Sequence, residues 1–206
     1  SGNTSTAKQI ARSVREYQSR FSAYELPSQS RINAESLYYR MMIFERLFPF
    51  YLSIGILLLA SLIVMVVKGR KSPLLFTRIL SWILFAGFLA HTLGLGLRWY
   101  ISGHSPMSNG YESMIFISWV TLLAGFIFSR RSLFALPATA VLSGLTLLVA
   151  HLSFMDPEIT NLVPVLQSYW LTLHVSVITA SYGFLGLGAI LAIIAMILLS
   201  LSGKSS

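Results

Sequence analysis

Four histidines, His91, His104, His151 and His174, carry most of the ligating chemistry in this 206-residue chain. A neutral imidazole suits iron or copper, and it exchanges a proton near neutral pH. His174 is the sixth residue of a long uncharged run that opens at Tyr169. At about 100° per residue, Trp170, His174, Ser181, Gly188 and Ala192 fall within about 40° of one another on a helix. The upper part of that stripe suits a flat aromatic ligand, with Trp170 against its face and His174 as axial nitrogen; the small residues below admit a second backbone. The competing reading of His174 is an interfacial ring bonded to a neighbouring carbonyl.

His91 shares a helical stripe with Gly87, Gly94 and Arg98 and lies about 9 Å inside the end of its apolar run. An ionisable group at that depth marks function by default; the alternative is a neutral ring bridging two helices. Ala86, Ala90 and Gly94, at fourfold spacing, read as an ordinary helix contact. His104 and His151 lie near water and read first as simple surface residues. The segment from Arg98 to Ser113, RWYISGHSPMSNGYES, sets Gly103, Pro106 and Gly110 among Arg98, His104, Asn109, Tyr111 and Glu112. That composition predicts a structured polar cap, with Glu112 paired to Arg98 across a helical hairpin. No phosphate loop, zincin motif, serine elbow or dinucleotide fingerprint occurs. The chain has no cysteine, which excludes disulfides, thiolate metal sites and a thiol nucleophile.

The elements that must hold these residues are membrane helices. Hydrophobic residues make up 55% of the chain and charged residues 11%, against about 25% charge in a soluble domain. The net charge of +8 comes without a basic stripe interleaved with aromatics, so anionic lipid headgroups rather than nucleic acid are the expected partner. Residues 1–46 form a polar extramembrane tail, in which Ile10, Val14, Tyr17 and Phe21 recur at helical spacing. A second interfacial helix is expected to start with Asn33 as its N-cap. Residues 47–206 are expected to form the transmembrane bundle, with spans at about 48–67, 79–97, 111–128, 133–152 and 169–201. The last run is long enough to project past the hydrocarbon core or tilt strongly.

The predicted fold is therefore all-α, an integral membrane bundle of five transmembrane helices. Lys68, Arg70, Lys71 and Arg78 lie between the first two spans, Arg130 and Arg131 between the third and fourth, and Lys204 after the fifth. The positive-inside rule then places the N-terminus outside and the C-terminus in the cytoplasm, with all four histidines toward the outer face. An opening of Ser1, Gly2 and Asn3, with no early apolar run, leads to the expectation of a piece of a longer polypeptide.

Two segments carry a resemblance. The pattern Arg-Trp…Ser-Gly-His-x-Pro-x-Ser-Asn-x-Tyr-Glu-Ser spans Arg98 to Ser113, and His-Val-Ser…Ser-Tyr spans His174 to Tyr182. In that order they resemble the CcsA/ResC family, the membrane component of the System II cytochrome c synthetase, often fused to its partner CcsB. The resemblance covers roughly residues 34–201 and corresponds to the N-terminal half of the component. It implies cytochrome c biogenesis in a bacterial inner membrane: heme b is presented at the outer face and joined to the CxxCH thiols of apocytochrome c. His174 would be the first of two outer histidines on the heme iron, and Trp170 a heme contact. The family's tryptophan-rich platform, second outer histidine and transmembrane histidine follow this helix, so catalysis is not expected from these residues alone. His91, His104, Arg98, Asn109 and Glu112 remain candidate functional residues that the resemblance does not assign. The competing classes are a noncatalytic membrane scaffold and a solute or proton transporter using His91.

Overall fold

The computed structural model describes residues 2–21, 28–68, 74–152, 155–159 and 168–202. Among the described residues the chain is helical, in the order α1 (Gly2–Phe21), α2 (Gln29–Met41), α3 (Ile43–Lys68), α4 (Leu74–Ser102), α5 (Gly110–Phe128), α6 (Ala135–His151) and α7 (Tyr169–Ser202). In α1 the apolar stripe of Ile10, Val14, Tyr17 and Phe21 is wholly exposed. The second helix begins earlier than expected. Ser28, not Asn33, is its N-cap: its backbone is extended and its hydroxyl accepts from the Arg31 amide. Asn33 lies a turn inside, where its side-chain oxygen accepts from Gln29 instead. Met42 adopts a left-handed conformation (φ 46°) and separates α2 from α3.

Each expected span falls on a helix, and the helices overrun the apolar runs at most ends. Four stretches are long and apolar enough to cross a membrane, within Gln29–Val67, Leu75–Ser102, Gly110–Phe128 and Tyr169–Ser200. The chain is thus a multi-pass membrane protein. The remaining apolar helix, α6, has 17 residues, about 26 Å by its rise.

That short helix is central. It packs on α3, α5 and α7, and Ala135, Ala138, Thr139, Ala140, Ser143, Gly144, Leu147 and Ala150 are all buried. Small residues let its neighbours come close, which matters where lipid removes the hydrophobic drive between helices. A Cβ on Gly55 of α3 would sit 2.7 Å from the Val141 amide nitrogen, and one on Gly144 would sit 2.8 Å from that of Leu52. Gly125 of α5 leaves no room for a Cβ beside Thr139. On α4, Gly87, His91, Gly94 and Arg98 form the buried stripe, with Gly87 against Phe50 and Gly94 against Phe44. The fourfold Ala86, Ala90, Gly94 stripe is not the contact: Ala86 is exposed and Ala90 only partly covered. Phe88 and Trp119 stack between α4 and α5 at 5.6 Å, and the Trp119 indole donates to Thr92.

Candidate functional site, a polar cap at one end of the bundle

The end of α4, the start of α5, the segment 155–159 after α6 and the start of α7 meet at one end of the bundle, with α2 across them. Arg98 is its hub and is fully buried. Its Nε donates to Glu112 Oε1 at 2.7 Å, and Nη1 donates to the Tyr38 hydroxyl at 3.1 Å. Nη1 and Nη2 also reach the carbonyls of Pro157 and Glu158 at 2.8 and 2.9 Å, and the guanidinium lies over the Tyr111 ring. The expected pairing across the hairpin is present. Burial of both charges is tolerable because nearly every donor and acceptor has a partner.

Glu112 uses its second oxygen on the loop. Oε2 accepts from the amide and the hydroxyl of Ser108, both at 2.6 Å. Asn109 caps α5 by accepting from the Glu112 amide at 2.8 Å, the pattern that satisfies a free helix-end donor. It also donates toward the Asp156 carbonyl. His104 is half-buried, its Nδ1 within 3.0 Å of the Ser105 carbonyl. The capping loop is thus ordered by side chains, as its turn residues predict.

His91 is not part of this cap. Its fully buried ring lies between α3, α4 and α5, with Nε2 at 3.1 Å from the Ile115 carbonyl and Nδ1 at 3.3 Å from the Tyr51 hydroxyl. A carbonyl only accepts, so Nε2 carries the hydrogen and the tyrosine donates to Nδ1. The ring therefore bridges helices with both nitrogens engaged. His151 stacks on Phe48 at the end of α6.

His174 is the opposite case. It is exposed, as are Tyr169 and Trp170, and among the described residues no hydrogen bond reaches its ring. The packed side of α7 is formed by Ser176, Thr179, Gly183, Gly186 and Leu187. Thr179 and Gly183 lie about 140° and 180° round the helix from His174, so the imidazole points away from the bundle. The whole stripe of Trp170, His174, Ser181, Gly188 and Ala192 is exposed. No other part of the described chain comes within 4 Å of a Cβ placed on Gly188, so among the described residues no backbone fills the approach its small residues allow. The loop meets α7 at Ser176, whose hydroxyl lies 2.8 Å from Met107 Sδ. His174 is two residues nearer the helix start, about 3 Å further along the axis, level with the cap.

Sequence reasoning missed Tyr38, Met107, Ser176, Tyr51 and the carbonyls at 157 and 158. No local pattern signals them.

Residues 107–204 match the family described as Cytochrome C assembly protein. The chain is 52% identical over 177 residues to Protein NrfI of Wolinella succinogenes, a match covering 84% of this chain and 19% of that protein. It is 42% identical over 139 residues to the cytochrome c biogenesis protein CcsA of Chlorella vulgaris, covering 63% of this chain and 42% of that protein. A CcsA of Prochlorococcus marinus (strain MIT 9303) is 42% identical over 108 residues, half of this chain and 34% of its own. The chain therefore spans less than half the length of these curated relatives. The matched region holds the last residues of the cap loop and the helix of His174, and on these matches the chain belongs to the CcsA family of cytochrome c assembly proteins.

Proposed function

We propose that this chain handles heme in cytochrome c biogenesis, presenting it at the extracytoplasmic face of a bacterial inner membrane for attachment to the CxxCH thiols of apocytochrome c. The observation that carries this reading is His174: an imidazole level with a polar cap, outside the bundle, with its nitrogens unclaimed among the described residues. The donor set fits heme. The exposed His174 imidazole would ligate iron without a competing partner, and the Trp170 ring one turn earlier offers an aromatic face. When bound, heme b supplies the iron and the vinyl groups that take up thiols. His174 would hold the iron, Trp170 would offer its ring to the macrocycle, and the buried cap keeps the helix that carries both in place.

In this reading the polar end of the bundle is the outer one, because Arg78, Arg130 and Arg131 gather at the other. The chain then spans the bilayer five times, with α6 as the short central span, its N-terminus outside and its C-terminus in the cytoplasm. Residues 1–46 lie outside the hydrocarbon core, and a CcsB-like protein, fused or separate, is the expected partner. Hydrogen bonds at both His91 nitrogens weigh against a transporter built on that residue.

The test is an absorption titration of the purified chain with hemin in detergent micelles. Wild type should give a Soret band of a histidine-ligated heme, His174→Ala should lose it, and His91→Ala should keep it. Equal binding by His174→Ala and wild type overturns the assignment, and absence of hemin binding by the wild type favours a scaffold.

A further inference from the structure

One route leads from the cap to the start of α7, and it passes through one ion pair. The cap loop touches α7 through Met107 and Ser176, and the next residue, Ser108, is held by both its amide and its hydroxyl on Glu112. The same pair also holds the segment 155–159, through the Arg98 guanidinium at the carbonyls of residues 157 and 158. Arg98 and Glu112 bind each other at 2.7 Å with essentially no solvent exposure. Elsewhere α7 leans on α5 and α6 through Gly183 against Thr121 and Gly186 against Leu142, and Thr179, five residues beyond His174, is already buried. At the level of His174 the helix offers one face to solvent or lipid, and the cap is what it rests on.

We propose that Arg98 and Glu112 are positioning residues: the pair fixes the cap loop and the segment 155–159 together, and through Met107 and Ser176 sets where the first turns of α7 and the His174 imidazole stand relative to the bundle. The proposal rests on His174 as the heme ligand only for its functional consequence; the placement of α7 is measurable without heme. A planar guanidinium serving four acceptors on three segments is not replaceable by an ammonium, so Arg98→Lys keeps the charge and loses the geometry. Met107→Ala removes the loop contact and leaves the ion pair intact.

The chain has no cysteine, so nitroxide labels are placed by substitution at exposed sites of the full chain in lipid nanodiscs. One pair, Leu173→Cys with Leu93→Cys, reports α7 against α4; a control pair, Leu57→Cys with Leu145→Cys, reports α3 against α6. Pulsed electron spin resonance should show a narrow 93–173 distance distribution in the parent chain. Arg98→Lys and Met107→Ala should each shift or broaden it while leaving the 57–145 distribution unchanged. Both should also weaken hemin binding about 10- to 100-fold, the usual effect of losing a group that orients a metal ligand. Should Arg98→Lys disturb the control pair, Met107→Ala decides alone. An unchanged 93–173 distribution in Met107→Ala overturns the proposal, whatever happens to hemin. Loss of α7 placement with hemin binding unaffected by His174→Ala upholds the positioning role and overturns the ligand assignment instead.

Discussion

Ser118 on α5 and Ser143 on α6 each donate a hydrogen bond to the other's backbone carbonyl, at 3.0 and 2.9 Å, and both are fully buried. Such an exchange requires helices close enough for a two-atom side chain to reach across. The neighbouring Gly125 and Thr139 make the same approach possible. The joint between α5 and α6 is therefore polar, small and close, and it holds the cap loop's helix to the centre of the bundle.

Replacing either serine by alanine is expected to cost about 0.6 kcal/mol, the mean for a hydrogen bond between membrane helices. Ser118→Leu, which forces the helices apart, should cost about 1–3 kcal/mol through overpacking. Unfolding by titrated denaturing detergent, followed by circular dichroism, ranks the three; equal effects from alanine and leucine would contradict the close joint.

Glycines on opposite sides of the bundle separate packing from helix propensity. Gly55→Ala pushes a methyl group against the backbone of Val141, which cannot rotate away, so it should destabilise the chain by about 1–3 kcal/mol. Gly188→Ala meets no atom within 4 Å and should be neutral or stabilise by up to about 1 kcal/mol through helix propensity. Thermal melts in micelles should move in opposite directions or leave Gly188→Ala unmoved; a fall for Gly188→Ala would mean that its face is covered.

The five apolar runs were legible because charges and turn residues bracket them. Lys68, Arg78, Arg98 and the pair at 130 and 131 stop or start helices close to where the structure does. The Arg98–Glu112 pair was legible too, since opposite charges at the two mouths of a helical hairpin have few other partners in lipid. Tyr38 was not, because its hydroxyl meets Arg98 across 60 positions of sequence and no periodicity encodes a tertiary partner. Met107 and Ser176 are 69 positions apart, and a thioether gives no signal of its own. The cap of α2 was misplaced because Asn33 and Ser28 are both good N-caps; Ser28, next to Pro27, has the extended backbone that the role requires.

His91 is expected to be structural. His91→Ala removes the partner of Tyr51 and the donor to the Ile115 carbonyl and leaves a cavity in a closed stripe, so stability should fall by about 2–5 kcal/mol. His91→Gln, which keeps one donor and one acceptor, should recover part of it. Hemin binding per folded molecule should be unchanged in both. A Soret band lost in His91→Gln at unchanged stability would give the residue a role in ligand binding.

The buried ion pair makes the last expectation asymmetric. Glu112→Ala leaves a guanidinium with no counter-charge in a closed site, and Arg98→Ala leaves a carboxylate equally stranded; each should cost about 3–5 kcal/mol. Removing both charges, as in Arg98→Met with Glu112→Leu, restores packing and abolishes the stranded charge. It cannot restore the carbonyls at 157 and 158, the Tyr38 hydroxyl or the Ser108 amide, each of which loses its partner. The double variant should therefore be more stable than Arg98→Ala, which loses the same Arg98 partners and strands a carboxylate besides, and less stable than the parent. It should also release the start of α7, since the donors that tie the segment 155–159 and the loop are gone. A double variant as stable as the parent, with the 93–173 distance intact, would show the pair to be an isolated charge contact with no hold on the His174 helix.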